Sequence, residues 1–138
     1  MAGIPVLTLL AGYAGAAVVF FVLDFVWLTI IAIGFYRSQI GALLLDQPNF
    51  LPAGAFYLFY VMGIVGFAVL PALAAQSWLW AFIAGLALGL IAYGTYDMTN
   101  LATLKGWSLS MSLVDMGWGA ALTGMAAVGG YFAARLAS

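Results

Sequence analysis

Long apolar runs separated by short polar interruptions are the dominant pattern along this chain. The first run reaches from Pro5 to Ile33 with a single charged position, Asp24. A second opens near Phe50 and reaches Pro71, a third covers residues 77–100 and a fourth residues 110–134. Each is as long as the roughly 20 residues an α-helix needs to cross a bilayer. The pattern predicts an all-α integral membrane protein: a bundle of four transmembrane helices in one domain, residues 1–138, with spans at 5–33, 50–71, 77–100 and 110–134. Between Asp46 and Asp97 no charge interrupts fifty residues, and only Pro71 and Gln76-Ser77 divide them, so the second loop is expected to be a tight turn.

The first loop is longer. In GFYRSQIGALLLDQPNFLPA, Phe35, Tyr36, Ile40, Leu43 and Leu44 alternate with Arg37, Gln39 and Asp46. That mixture predicts a short amphipathic segment in the headgroup layer, ended by Gln47-Pro48-Asn49. Small residues recur four apart at Gly12 and Ala16, Gly85 and Gly89, and Ala120 and Gly124, a spacing that lets helix backbones approach closely in lipid.

Composition narrows the function classes. Apolar residues make up 67% of the chain and charged residues 5%, whereas a soluble domain keeps about a quarter of its residues charged. The partner of this surface is therefore the lipid bilayer. Three scattered basic residues and a net charge of −1 give no footprint for nucleic acid. Cysteine and histidine are absent, which excludes disulfides, thiolate zinc, iron–sulfur clusters and histidine-ligated haem. No cofactor is expected and no metal site is assigned; a bound metal would have to be a hard cation on oxygen ligands. The amino-terminal stretch lacks a basic region before its long apolar run, so it reads as a retained helix rather than a cleaved signal. Arg37 and Lys105 on one side balance Arg135 and the amino terminus on the other, so basic residues set no orientation.

The aspartates carry the candidate chemistry. Asp24 lies late in the first span, Asp97 late in the third and Asp115 early in the fourth, so an up-down bundle brings all three to the half of the membrane beside loops 1 and 3. At 1.5 Å per residue, Asp24 would sit roughly 12 Å inside its helix end and the other two about 5–8 Å inside theirs. Helical geometry gathers Tyr93, Tyr96, Asp97 and Asn100 in one arc of the third helix. It gathers Tyr13, Phe20, Asp24, Trp27 and Ile31 on the first, and Ser112, Asp115, Trp118 and Gly119 on the fourth. The candidate polar site is thus Asp24, Trp27, Tyr93, Tyr96, Asp97, Asn100, Lys105, Asp115 and Trp118, with Lys105 at its mouth. A shift of 73 residues also superposes Asp24 on Asp97 and Leu28 on Leu101, as a duplicated helix pair would.

Each feature has a structural reading too. Ser112-Leu-Val-Asp115 fits a capping box at a helix start. Asp97 can end its span and pair with Lys105. Asp24 has no such reading as an edge residue, since apolar sequence continues after it to Ile33, although it could clamp helices by hydrogen bonds. Trp78, Trp80, Trp107 and Tyr131 read as interfacial anchors. Tyr57 and Tyr60 fit either lipid or bundle, and Thr95 and Thr99, opposite Asp97, fit hydroxyls bonded to their own helix carbonyls.

The same residues carry a resemblance. Asp24 with Trp27, Tyr96-Asp97 followed by Asn100-Leu101, Lys105-Gly106-Trp107, and Asp115 with Trp118-Gly119 resemble the bacterial predicted-membrane-protein family catalogued as domain of unknown function 2177. The resemblance covers essentially the whole chain. It implies a small multi-pass protein of the bacterial inner membrane and brings no activity with it.

Three functions compete. In the first, a buried carboxyl binds or moves a proton or a small molecule, and a homodimer supplies the path that four helices are too few to form. In the second, an accessory or assembly protein uses the aspartate cluster structurally. In the third, an intramembrane enzyme acts on lipid with paired carboxylates as acid and base or as Mg²⁺ ligands, which requires the three carboxyls to meet within bonding distance. No catalytic residue is assigned.

Overall fold

A computed structural model describes residues 3–138. Four long helices, α1 (Val6–Ile31), α3 (Phe50–Ala75), α4 (Trp78–Thr103) and α5 (Leu109–Leu136), are each long and apolar enough to cross a membrane. A short helix, α2 (Ile33–Ile40), and one 3-10 turn (Gly41–Leu43) fill the first loop. The outward faces are apolar: Val6, Leu51 and Phe67 are 70%, 81% and 71% exposed. Such a surface is solvated by acyl chains, and the protein is a membrane protein embedded in lipid.

Without water to drive apolar surfaces together, helices in lipid associate through close packing. The helix built from the most small residues therefore takes the centre. Helix α5 carries Gly119, Gly124, Gly129 and Gly130 and buries Leu122, Ala126, Ala127, Tyr131 and Ala134. Helices α4 and α1 make the most extensive contacts with it. A Cβ on Gly85 of α4 would lie 2.7 Å from the Gly124 Cα, and one on Gly89 would overlap the Gly119 carbonyl. The Gly12/Ala16 and Gly85/Gly89 pairs expected at close contacts both lie in these interfaces, with all four residues buried.

Helix α3 closes the bundle and is the irregular member. Asn49 caps its start by accepting a bond from the Leu51 N–H at 3.2 Å. The sequence reading ends this span at Pro71, yet the helix runs on to Ala75. A π-turn over Val65–Val69 precedes the proline, with the Leu70 N–H bonded to the Val65 carbonyl. Widening the coil there accommodates a residue that lacks an N–H and would crowd the carbonyl four positions back. The π-turn also marks a change of neighbours. From Val65 onward α3 packs on α4, while its first half, Phe50–Ile64, leans on α1. The α3–α4 turn is tight as expected: Gln76 takes a left-handed conformation, φ 51°, and Ser77 caps α4 through the Trp80 N–H.

A second π-turn, Trp27–Ile31, ends α1. It swings Ile31 out to 62% exposure and off the stripe that Phe20 and Asp24 share. Helix α2 then folds back over the bundle: Ile40 is buried and Tyr36 half-buried, while Arg37, Ser38 and Gln39 stay exposed. The segment is amphipathic, but it ends at Ile40–Leu43 rather than at Gln47-Pro48-Asn49. Ser108 hydrogen-bonds Gln39 and ties loop 3 to loop 1.

Candidate functional site

Asp24 is only 7% exposed, and its carboxylate accepts a bond from the Trp118 Nε1–H at 3.2 Å. The Trp118 indole lies flat on Trp27, with centroids 4.4 Å apart and planes 6° from parallel. Trp27 Nε1–H donates to the Tyr36 hydroxyl at 2.9 Å, and Tyr36 O–H donates to Asp115 Oδ1 at 2.8 Å. Asp115 is the carboxyl that neighbours Asp97. One path of aromatic and carboxyl groups therefore joins Asp24 to Asp115, with Asp97 beside its end. Burial first, and the Asp115 carboxyl second, push the Tyr36 phenol above its ordinary value, so it remains a neutral donor.

Asp97 differs from its neighbours. It is fully buried, and neither carboxyl oxygen accepts a bond from any protein donor. The Tyr93 hydroxyl is likewise buried without a partner. Buried polar atoms are nearly always satisfied, and an exception calls for a physical reason.

Beside this path lies a cavity of about 760 Å³ whose walls come mainly from α3 and α4. It exists because the first half of α3 departs from α4 below the π-turn. Phe56, Tyr57 and Tyr60 form one wall, and Ala92, Tyr93, Thr95, Tyr96 and Thr99 the other. Tyr36, Ile40 and Leu44 cover it, and Met111 and Asp115 line its floor. No basic side chain is among the lining residues.

The sequence-derived set divides accordingly. Asp24, Trp27, Asp115 and Trp118 join the path, with Asp97 against Asp115. Tyr93 and Tyr96 line the cavity, Tyr96 more than half exposed and set edge-on to Trp107 at 5.6 Å. Asn100 is half-buried on the same arc, outside the cavity lining. Lys105 is exposed and faces a separate hollow of about 340 Å³ with Arg37, away from the aspartates.

Several structural readings are corrected. Helix α5 begins at Leu109, capped by Ser108, which accepts from the Met111 N–H at 3.1 Å. Ser112 and Asp115 therefore lie beyond the first turn, and Asp115 caps nothing. Ser112 instead donates to the Ser108 carbonyl and accepts from Trp107 Nε1–H. Tyr131 is 1% exposed, so it is core rather than an interfacial anchor. Tyr57 and Tyr60 face the bundle; Tyr60 hydrogen-bonds Thr123 at 2.9 Å. Thr95 and Thr99 do bond carbonyls of their own helix, at Ile91 and Thr95.

Sequence reasoning missed Tyr36 as a site residue. Its place in the loop argued for the headgroup layer, and no local spacing signals that the loop returns onto the bundle. The Mg²⁺ form of the enzyme reading lacks its geometry: among the described residues no three acidic side chains stand at metal-ligating spacing.

No curated protein and no solved structure matches the chain. The model of the family described as Predicted membrane protein (DUF2177) matches residues 9–132, nearly the whole length, and together with the four apolar helices it establishes that the chain belongs to that family.

Proposed function

We propose that this protein is a small multi-pass protein of the bacterial inner membrane, acting as one four-helix unit over residues 1–138. It binds and exchanges a proton, and with it a small molecule, at the Asp24–Asp97–Asp115 site. The observation that carries the reading is the pair of buried Asp97 oxygens left without a donor, with Asp115 as the neighbouring carboxyl. Neighbouring carboxyls can bond each other only when one of them supplies a proton, and Asp97 has no other donor. A proton held in common by the pair gives the orphaned oxygens a partner and removes one charge from a membrane interior where each costs about 2.5–3.5 kcal/mol. The open cavity beside Asp115 supplies a route to that proton. A homodimer, with two such clefts, provides the path across the membrane that one bundle is too small to enclose.

A hydrophobic carbodiimide tests this, because it couples to protonated carboxyls within the bilayer and not to carboxylates. Reconstituted protein is expected to take up one equivalent, with labelling lost in Asp97→Asn and Asp115→Asn at unchanged thermal stability. Wild-type protein that resists labelling sinks the proposal. If instead both variants lose half their stability or more and no labelling is seen in any form, the cluster is a helix clamp, as an accessory role requires.

A further inference from the structure

We infer that the cleft between α3 and α4 binds a lipophilic cation, a hydrophobic amine or onium ion that enters sideways from the bilayer and sets its charge against Asp115. This deepens the site reading above and rests on it. Four observations select the class of ligand. The cavity volume, about 760 Å³, falls in the range of small-molecule sites, about 300–1,000 Å³. Its lining residues Phe56, Thr95 and Thr99 are also exposed on the outer, acyl-solvated surface of α3 and α4, so an entrant reaches it from lipid. Tyrosine rings converge on the space from three helices: Tyr36 from α2, Tyr57 and Tyr60 from α3, Tyr93 and Tyr96 from α4. Aromatic faces attract cations, most strongly where water is excluded.

The charge balance is the fourth observation and excludes the alternatives. Asp115 lines the floor, Asp97 lies fully buried and without a donor behind it, and Asp24 is connected through Trp118, Trp27 and Tyr36. Three carboxyls share this region, and the only basic side chains on that side, Arg37 and Lys105, face a different hollow. Even with one proton held between Asp97 and Asp115, the region keeps a negative charge that no side chain balances. An anionic amphiphile would be repelled, and a neutral one would leave the charge unanswered. A cation completes the site, and on binding it takes the place of the shared proton or adds to it.

Tetraphenylphosphonium and tetraphenylborate, equal in shape and opposite in charge, provide the test on purified full-length protein, read by quenching of the Trp107 region and by equilibrium dialysis. The phosphonium ion is expected to bind saturably and the borate not. Asp115→Asn should weaken the phosphonium by roughly tenfold or more, as loss of an unscreened counter-charge at low effective dielectric implies. Thr95→Trp, at an exposed position on the cleft wall, should abolish binding while leaving the carboxyls untouched, and so serves where Asp115→Asn fails to fold. Equal binding of both ions, or phosphonium binding unaffected by Thr95→Trp, overturns the inference. If phosphonium fails to bind while carbodiimide labelling persists, the ligand class is wrong and the proton site stands; loss of labelling with phosphonium binding retained separates the two in the other direction.

Discussion

Tyr36 holds two partners at once, accepting from Trp27 and donating to Asp115, and thereby fastens the first loop to α1 and α5. Replacing it by phenylalanine leaves both partners buried or half-buried with one bond missing. Tyr36→Phe is expected to cost about 1–3 kcal/mol, read from reversible unfolding in mixed micelles. In a double-mutant cycle with Asp115→Ala, which removes the acceptor, the coupling should be about 1 kcal/mol, since the two changes share one bond; additive effects would show that the bond does not form. The aspartates were legible in the sequence for a simple reason: a charge within an apolar run has few explanations in lipid, and Asp24 has none at an interface. Tyr36 was hidden because its role depends on where a loop returns, which no local spacing encodes. Tyr131 misled for the related reason that a tyrosine near a span end reads as an anchor, whereas Arg135, whose guanidinium lies 5.8 Å from its ring centre, covers it within the bundle.

At the scale of elements, hydropathy alone delineated the four helices, but their irregular turns came from packing. Pro71 looked like a terminus because proline ends helices in general; here the π-turn ahead of it carries the helix past. One extra residue in that turn rotates everything upstream by about 100° relative to a plain α-helix. That rotation is what aims Tyr57 and Tyr60 at the bundle. Deleting Gly66, where no neighbour lies within 4 Å of an added Cβ and space is not limiting, should restore α-helical register and turn both tyrosines away. The expected signature is conditional. In the parent chain Tyr60→Phe should cost about 1 kcal/mol by loss of the Thr123 bond. In the deletion variant it should cost nothing measurable, and an unchanged cost would refute the register argument. The capping of α5 teaches a similar lesson: Ser112 reads as a cap by sequence, but Ser108 takes that place because the chain leaves loop 3 in extended conformation there.

For the whole molecule, the arrangement is a central small-residue helix with α1 and α4 on either side, and an aspartate from each of the three gathered near one face. Depth within the bilayer then has a consequence of its own. Asp24 lies seven residues before Ile31 and Asp97 six before Thr103, which at 1.5 Å per residue is about 10 Å, a third of a hydrocarbon core of about 30 Å. A transmembrane voltage therefore falls partly on either side of the site. Moving a unit charge across the full membrane is worth about 2.3 kcal/mol per 100 mV, so a proton arriving from the near face would feel about 0.8 kcal/mol, and one from the far face about 1.5. Labelling of liposomes under potassium diffusion potentials should accordingly shift about fourfold per 100 mV if protons enter by the near face, and by more than tenfold if by the far face. The steepness of that response would reveal which side of the membrane the buried carboxyls answer to.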